Sequence, residues 1–258
     1  MSTSPIRVAV VGAAGRMGRQ VLAVCAADAG IEVVGKVDRP GAEGTIPLDS
    51  LEGAGVDVLI DFSHRDSVAA HAAFCRRHRV AWVLGTTGLG ADEEVAVAHA
   101  AEATVVFRAS NFSIGVALMA DLVARAARVL GEDADIEVVE SHHHHKVDAP
   151  SGTALTLARA AAEARGQDLD AVVQHGRAGL VGARPRGEIG MHALRLGDIV
   201  GHHEVHFGWQ AEGIVLTHDA RDRAVFARGA VRAAHFAHAQ RLGGAMGVLG
   251  MRDLLADA

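Results

Sequence analysis

The 258-residue sequence has little of what nucleic-acid binding and membrane insertion require. It contains no Tyr, seven Phe and two Trp, which leaves little aromatic surface on which bases could stack. There are 31 Asp and Glu against 25 Lys and Arg, so no basic excess is available to neutralise phosphates. No charge-free apolar run reaches the length of about 18 residues that a membrane span needs. We therefore expect neither nucleic acid nor membrane among the partners.

Cysteine is equally scarce, since Cys25 and Cys75 are the only two. Isolated thiols in apolar or helical stretches argue against a disulfide scaffold and are typical of a reducing compartment. The polar residues 1–5 are followed by an apolar run that ends at a glycine-rich turn, which is not the pattern of a signal peptide. These features predict a cytoplasmic protein, and the ordinary content of apolar residues, 50%, predicts a globular one.

Short apolar runs alternate with helical patterns over the first 112 residues. The predicted strands are Ile6–Val11, Glu32–Asp38, Val56–Asp61, Ala81–Gly85 and Thr104–Phe107. The predicted helices are Arg16–Ala29, Asp66–His78 and Ala91–Ala101. Strands that alternate with helices imply crossover connections and a parallel sheet. We predict a doubly wound α/β domain.

The pattern changes after residue 112. Helices are predicted at Ser113–Leu130, Ser151–Arg165 and Val225–Ala239, and strands at Asp135–Glu140, Glu188–Leu194, Val200–Phe207 and Gly213–Thr217. Successive strands with short connections favour an antiparallel or mixed sheet. The sequence therefore predicts an inserted α+β domain over 113–222, with residues 1–112 and 223–258 forming the first domain.

A glycine-rich turn follows the first predicted strand. It comprises Gly12, Ala13, Ala14, Gly15, Arg16, Met17 and Gly18. A strand, a tight glycine turn and a helix N-terminus bring unpaired N–H groups and the positive end of the helix dipole together, which suits a pyrophosphate. The spacing G-x-x-G-x-x-G is a variant of the dinucleotide fingerprint.

Two residues at the end of the second predicted strand bear on the choice of dinucleotide. Asp38 follows Gly18 by 20 residues and can accept hydrogen bonds from a ribose 2′-hydroxyl, which favours NAD. Arg39 and Arg16 can instead contact a 2′-phosphate, which favours NADP. The sequence leaves both cofactors, NADH and NADPH, open.

Two later segments also follow predicted strands. The first is Gly85, Thr86, Thr87 and Gly88, and the second is Ala109, Ser110, Asn111 and Phe112. Ligands of open parallel sheets bind beyond the carboxyl ends of the strands, so both segments can line the same crevice as the first glycine turn. The alternative is that they are ordinary turns between strand and helix.

A histidine-rich segment in the second half of the chain carries the strongest chemical signal. It runs from Glu140 through His142, His143, His144, His145 and Lys146 to Asp148, Ala149, Pro150, Ser151, Gly152 and Thr153. Adjacent side chains of an extended chain point to opposite faces, so the four histidines do not converge on one metal, and we predict no metal site. Histidine exchanges protons near neutral pH, and Ser151 is a good N-cap for a helix whose first amides bind anions. A substrate that carries carboxylates fits such a segment, although a basic surface loop is the alternative.

At these residues the sequence resembles the 4-hydroxy-tetrahydrodipicolinate reductase family, also called dihydrodipicolinate reductases. The resemblance covers nearly the whole chain. It is carried by the two glycine turns, by 111–116, by the E-x-H-H-x-x-K-x-D-A-P-S-G-T core of 140–153, and by 186–195, 216–218 and 226–230. The resemblance implies reduction of a cyclic dicarboxylate to tetrahydrodipicolinate by NADH or NADPH in diaminopimelate and lysine synthesis. It also implies a Rossmann-type N-terminal domain completed by the C-terminal segment, and a homotetramer built through the sheet of the central α+β domain.

The resemblance also implies a role for individual residues. His142 matches the proposed acid–base histidine and Lys146 the proposed proton donor, while His143, Gly152 and Thr153 match contacts to the substrate carboxylates. The implied cofactor contacts are Gly12–Met17, Asp38, Arg39, Gly85–Thr87 and Ala109–Phe112. The chain departs from the family at Ala117, where Asn is usual, and at Leu249, where an aromatic residue is frequent. Another NAD(P)-dependent dehydrogenase, acting on an amino or oxo acid, is the alternative function.

Overall fold

The structure, a computed structural model, describes residues 4–257. The chain divides into two compact units. The first unit contains the residues up to Ser113 and those from Arg223 onwards, and the second unit is Ile114–Asp222. The domain boundaries predicted from the sequence place Ser113 in the other unit. No helix in the described part of the chain is long and apolar enough to cross a membrane.

The strands and helices are numbered in chain order. The strands are β1 (Ile6–Val11), β2 (Ile31–Val37), β3 (Val58–Asp61), β4 (Ala81–Leu84), β5 (Val105–Arg108), β6 (Asp135–His142), β7 (Val173–His175), β8 (Ile189–Arg195), β9 (Gly201–Trp209), β10 (Glu212–Ala220) and β11 (Gly247–Leu249). The helices are α1 (Arg16–Ala26), α2 (Val68–His78), α3 (Ala91–Ala101), α4 (Ile114–Leu130), α5 (Gly152–Ala164), α6 (Leu169–Val172), α7 (Ala224–Leu242) and α8 (Met251–Ala256).

The first unit is built on a six-stranded sheet in the order β11-β5-β4-β3-β1-β2, whose paired strands are all parallel. Parallel strands covered on both faces consist of continuous apolar runs. In β3 and β4 every residue is buried, and the first three residues of β5 are too. The predicted Rossmann-type sheet is thereby confirmed, with its strands ending at one edge where the glycine turns follow.

Three helices of this unit differ from their predicted bounds. Helix α1 ends at Ala26 rather than Ala29, because the carboxylate of Asp28 accepts a hydrogen bond from the Gly30 amide (2.8 Å) and forms a turn into β2. Helix α2 begins at Val68 rather than Asp66, because residues Arg65–Ser67 form a 3₁₀ turn. Helix α7 runs from Ala224 to Leu242 rather than from Val225 to Ala239. These differences move helix ends by one to three residues and leave the order of elements as predicted.

The second unit contains a five-stranded mixed sheet in the order β10-β9-β6-β8-β7. Strand β6 lies at its centre, parallel to β8 and antiparallel to β9. Successive side chains of a strand point to opposite faces. On β6 the buried face therefore carries Ile136, Val138, Glu140 and His142. The two apolar residues join the core formed with α4 and α5, and the two polar residues continue the same face beyond that core.

Four short elements were not predicted: α6, β7, β11 and α8. Strand β11 pairs with β5 through only three residues, and β7 pairs with β8 through three. Elements this short contain too few residues to show a period, so pairing with a neighbouring strand defines them rather than their own sequence.

Candidate active site

The first glycine turn requires glycine at two positions. Gly12 has φ +73°, and a Cβ there would lie 2.5 Å from the main-chain oxygen of Phe62. A Cβ on Gly18 would overlap the carbonyl oxygen of Gly12, because the first turn of α1 packs directly on the loop that precedes it. Glycine therefore allows the loop, the helix and the end of β3 to approach one another.

Helix α1 begins without a side-chain cap, because its N-cap residue is Gly15. The amides of its first turn, at Arg16 and Met17, have no acceptor within the helix, and the positive end of the helix dipole lies there. A cavity of about 910 Å³ opens beside this turn and is lined by Gly12–Gly15, Asp38 and Arg39. Its volume lies within the range of roughly 300–1,000 Å³ that is usual for ligand sites, so the residues present fit a dinucleotide.

Asp38, which was predicted to contact a ribose hydroxyl, also forms hydrogen bonds within the protein. Its Oδ2 accepts a hydrogen bond from the Ala14 amide (2.8 Å) and its Oδ1 one from the Arg39 amide (2.8 Å). Asp38 thus ties the end of β2 to the glycine turn. Arg39 lines the same cavity, as do Arg19 and Lys36, two cationic residues that the sequence did not single out for this role.

A buried polar cluster, the Asp61 cluster, lies where β3 ends. The Asp61 carboxylate is wholly buried and accepts hydrogen bonds from His71 Nδ1 (2.8 Å), Trp82 Nε1 (3.2 Å), Ser63 Oγ (2.6 Å) and Thr86 Oγ1 (3.3 Å). Burial raises the pKa of Asp61, but the hydrogen bond and charge of His71 and the hydrogen bonds from Ser63 outweigh it and hold the pKa below its ordinary value. The cluster joins the turn after β3 to the turn after β4.

The second predicted turn lies beside the first. Gly15, Arg16 and Met17 line a cavity of about 470 Å³ together with Gly85–Gly88, so the structure brings these two predicted segments together. A Cβ on Gly85 would overlap the ring of Phe62. The Thr86 side chain turns inwards to Asp61, whereas Thr87 is exposed.

The third predicted segment, Ala109–Phe112, follows β5. The amide of Ala109 donates to the Leu84 carbonyl (3.3 Å), which ties this segment to the end of β4. The ring of Phe112 is buried and packs against Phe62, with centroids 5.4 Å apart. The Asn111 side chain accepts a hydrogen bond from the Ser113 amide (2.8 Å), and Ser110 is exposed. The Phe112 ring is therefore part of the core.

The second unit contains a buried ion pair at the carboxyl end of β6. Glu140 and His142 lie on the same face of the strand because they are two residues apart. His142 Nδ1 lies 2.6 Å from Glu140 Oε2, and Glu140 has no exposed surface. Burial raises the pKa of Glu140, but hydrogen bonds from Arg195 and His142 outweigh it, and the pKa is lowered. Because Glu140 is ionised, Nδ1 of His142 is the donor.

Arg195 completes this arrangement from the end of β8. Its guanidinium forms two bonds to Glu140, Nη1 to Oε2 and Nη2 to Oε1, both 2.8 Å. Such two-pronged pairs are the strongest carboxylate contacts in proteins. The amide of Ser151 donates to the same carboxylate (3.0 Å). Glu140 therefore accepts hydrogen bonds from β6, from β8 and from the start of α5.

A second histidine, His203 on β9, packs edge-on against His142 with ring centroids 5.1 Å apart. Burial, followed by the charge of His142, lowers the pKa of His203 to about 3, so this ring is neutral under physiological conditions. A hydrogen bond joins its Nε2 to Ser151 Oγ (3.1 Å), which also accepts the Ala154 amide as the N-cap of α5. His203 thus anchors the start of α5.

The other three histidines of the segment diverge after β6 ends. His143 donates its amide to the Ile199 carbonyl (2.8 Å), and the His144 ring bonds the Gly197 carbonyl (2.8 Å). His145 is exposed, with its ring 3.8 Å from that of His144. Within the described residues, no group of three or more His, Cys, Asp or Glu side chains is arranged to hold a metal ion.

Lys146 follows in a turn, since its amide donates to the His143 carbonyl (3.1 Å). Its Nζ lies 2.8 Å from Asp148 Oδ1, and this contact lowers the pKa of the Asp148 carboxyl. Gly152 and Thr153 begin α5, and a Cβ on Gly152 would meet no atom, so the helix start is open there. All five residues predicted for the substrate side lie on the strand end, the turn and the helix start of this one segment.

Besides Arg19 and Lys36 of the first cavity, sequence reasoning missed four residues of these sites as functional candidates: Asp61, His71, Arg195 and His203. Glu140 was noted only as part of a motif. A strand period predicts that Glu140 and His142 share a face, and this signal was available. Arg195 is 55 residues away from Glu140 and His71 is 10 away from Asp61, so only the pairing of β6 with β8 and the packing of α2 bring them together.

A parallel sheet with a glycine turn at a helix start, and a cavity that fits a dinucleotide, define the class of dinucleotide-binding proteins. Two family models match almost the entire chain: dihydrodipicolinate reductase, N-terminus, at residues 6–112, and dihydrodipicolinate reductase, C-terminus, at residues 115–255. The chain belongs to the dihydrodipicolinate reductase family, and it is an NAD(P)H-dependent oxidoreductase.

Individual relatives agree with this assignment. The 4-hydroxy-tetrahydrodipicolinate reductase of Ruegeria pomeroyi is 45% identical over 244 residues, which cover 88% of this chain and 91% of the relative. That of Roseobacter denitrificans is 42% identical over 271 aligned positions, with 97% and 99% covered. A solved dihydrodipicolinate reductase from Paenisporosarcina, with dipicolinate bound, is 28% identical with a TM-score of 0.77 and covers 95% of this chain and 97% of that one.

Proposed function

We propose that this chain catalyses the reduction of 4-hydroxy-tetrahydrodipicolinate to tetrahydrodipicolinate, a step of diaminopimelate and lysine synthesis. The relatives named for this activity span nearly the whole chain, which supports the assignment. The observation that carries the residue-level proposal is the buried imidazole of His142, held by Glu140 in the segment that also contains Lys146 and the start of α5.

We assign the first unit to the cofactor. When bound, NADH or NADPH supplies the hydride. The first-turn amides of α1, with Gly12–Met17, hold the pyrophosphate at the positive end of the helix dipole. We assign Asp38 and Arg39, which line the same cavity, to the ribose, and Gly85–Thr87 and Ala109–Phe112 to the remaining cofactor contacts along the edge of the sheet. The cationic residues Arg19, Lys36 and Arg39 support use of NADPH alongside NADH.

We assign the second unit to the dicarboxylate. The first amides of α5, at Gly152 and Thr153, bind one carboxylate, and His143 contributes to the same anion site. The 4-hydroxyl group leaves as water, and the conjugated ring that results would take up one hydride from the reduced cofactor and one proton. The Lys146 ammonium binds the substrate anion in place of Asp148 and donates that proton to the ring. His142 keeps its Nδ1 proton on Glu140 and exchanges a proton through Nε2.

We further propose a cytoplasmic homotetramer. The outer strand β10 of the second sheet supports self-association, since it exposes Ile214 and Val215. Exposed edge strands are ready partners for another chain.

The proposal is tested with purified protein and freshly generated cyclic substrate, with NADH and NADPH in separate reactions, by following the near-ultraviolet absorbance of the reduced nicotinamide. Consumption of either cofactor only when the cyclic dicarboxylate is present is the expected result. A panel of amino and oxo acids serves as the control. Turnover on that panel without turnover of the cyclic dicarboxylate would overturn the proposed substrate.

A further inference from the structure

Glu140 is a buried carboxylate that accepts hydrogen bonds from four donor atoms. These donors belong to three different parts of the proposed substrate side. Two bonds come from Arg195 (2.8 Å each), one from His142 Nδ1 (2.6 Å) and one from the Ser151 amide (3.0 Å). The Arg195 bonds connect Glu140 to β8, the His142 bond connects it to the imidazole, and the Ser151 bond connects it to the start of α5, just before Gly152. No exposed surface remains on Glu140.

Arg195 extends the same connection to Lys146. Its Nη2 donates to the main-chain oxygen of Asp148 (2.5 Å), and the Asp148 carboxylate pairs with Lys146 Nζ (2.8 Å). Its Nη1 also donates to the Leu194 carbonyl (2.6 Å). One guanidinium therefore holds Glu140, the strand β8 and the 146–148 turn at the same time, and only a planar group with several donors can do so.

The Glu140 contact also determines which nitrogen of His142 is free to react. With Nδ1–H donated to an ionised carboxylate, the neutral ring has its lone pair on Nε2. That atom faces Gly201, where a Cβ would lie 3.1 Å from it. The charged and titratable groups around the ring are Glu140 on β6, Arg195 on β8, His203 on β9 and, behind His203, His218 on β10 (ring centroids 6.4 Å apart). Only Glu140 bonds the ring directly among the contacts given for these groups.

We propose that Glu140 and Arg195 are positioning residues of the acid–base site: their ion pair holds His142 in the Nδ1–H tautomer and holds the turn that carries Lys146. This inference rests on the proposed function for the reaction that His142 and Lys146 serve. The tautomer and the turn, however, are properties of the second unit that can be measured without any substrate.

Two substitutions separate charge from geometry. Glu140→Gln keeps the shape of the side chain and removes its charge, and Arg195→Lys keeps the positive charge and removes the two-pronged contact. Glu137→Gln is the matched control, because Glu137 lies on the opposite face of β6 and also accepts bonds from a histidine, His192 (2.6 Å), and an arginine, Arg177 (2.8 Å). All three variants are compared by thermal melting before use.

The first readout is a two-dimensional ¹H–¹⁵N spectrum of the histidine rings, with the His142 signals identified by their loss in His142→Gln. We expect a protonated Nδ1 and a bare Nε2 for neutral His142 in the wild type and in Glu137→Gln, and a mixture of tautomers in Glu140→Gln. A pure Nδ1–H tautomer in Glu140→Gln would overturn the positioning role of the carboxylate, and this holds even if the wild type fails to reduce the proposed substrate.

The second readout is steady-state kinetics with the cyclic dicarboxylate. We expect kcat to fall about 10- to 100-fold in Glu140→Gln, as is typical when a partner that orients a reactive histidine is lost. The pH–rate profile of this variant is expected to differ from that of the wild type, because the carboxylate that bonds Nδ1 of His142 is lost. Arg195→Lys is expected to lower kcat with the profile unmoved. If both variants keep kcat and the profile within about twofold of the wild type, a change of only 0.4 kcal/mol or so, the inference is wrong.

Discussion

Each unit of this protein contains one buried carboxylate–histidine pair at the carboxyl end of a strand, and the two pairs differ in how their charge is balanced. Asp61 and His71 are bonded at 2.8 Å, and the further donors to Asp61, on Trp82, Ser63 and Thr86, are neutral. Glu140 and His142 are bonded at 2.6 Å, and the further donors are the Arg195 guanidinium and one main-chain amide. In both pairs the carboxyl pKa is lowered.

The difference indicates which imidazole is available for chemistry. No permanent cation is bonded to Asp61. The buried charge of its carboxylate is therefore stabilised by the hydrogen-bond donors around it, including His71. Glu140 is already paired with the Arg195 guanidinium, and on this basis we propose proton exchange at His142 rather than at His71. The same two side-chain types thus support the loops of the cofactor side in one unit and, as we propose, proton exchange in the other.

The largest expected effect is on stability, from Asp61→Ala. It leaves His71 and Trp82 as buried donors without their acceptor, at about 1–3 kcal/mol each, so we expect the free energy of unfolding to fall by about 3–5 kcal/mol. Urea denaturation measures this change. Glu140→Ala is the comparison, with a smaller expected loss of about 1–3 kcal/mol, because Arg195 keeps two main-chain acceptors. Equal losses for the two variants would contradict the distinction between the pairs.

Next is the effect of Lys146→Ala on turnover. We expect kcat to fall about 100-fold, which corresponds to about 2.7 kcal/mol, because the proposed proton donor is removed. The free energy of unfolding should hardly change, since the ion pair with the exposed Asp148 contributes little. Arg77→Ala, which removes an exposed pair with Glu52 in the first unit (3.0 Å), is the control for losing such a pair. Near-normal turnover in Lys146→Ala would remove this residue from the mechanism.

Substitution of each histidine by glutamine tests the comparison directly. His71→Gln is expected to lower the free energy of unfolding by about 1–3 kcal/mol, because a buried bond to Asp61 is lost or weakened. His142→Gln is expected to act mainly on kcat and on the pH–rate profile. Urea denaturation measures the free energy of unfolding of both variants, and steady-state kinetics measures their kcat and pH–rate profiles. A pH–rate profile that is unchanged in His142→Gln would mean that this residue only positions the anion.

The smallest effect is expected in acid. Since the pKa values of Asp61 and Glu140 are lowered in the folded protein, both residues add stability above the ordinary carboxyl value of about 4, and it is lost as the pH falls through the folded values. Unfolding experiments below about pH 4 should therefore show a shallower loss of stability in Asp61→Asn and Glu140→Gln than in the wild type. An equally steep loss in both variants would be evidence that other carboxyls dominate.

Much of the fold was predictable because the elements that matter are long and periodic. The middle strands of the first sheet, β3 and β4, are apolar runs apart from Asp61, and the helix Ala91–Ala101 has the predicted bounds. On the site, the glycine turn and the Glu140-x-His142 spacing are local signals. By contrast, β11 is three residues long and is defined by its pairing with β5. The inward turn of Thr86 and Phe112 follows from a neighbour, Asp61 or Phe62, that no local pattern identifies.

By itself the sequence determined the local geometry. It determined where the long strands and helices form, which loops need glycine, and that Glu140 and His142 lie on the same face of a strand. These properties depend on steric limits and side-chain periods within a few residues. Only the tertiary structure decided that Arg195, 55 residues from Glu140, neutralises it, and that His71 is buried on Asp61. Strand register and helix packing determine which distant charges meet once water is removed, and a buried charge is stable only where such a partner arrives.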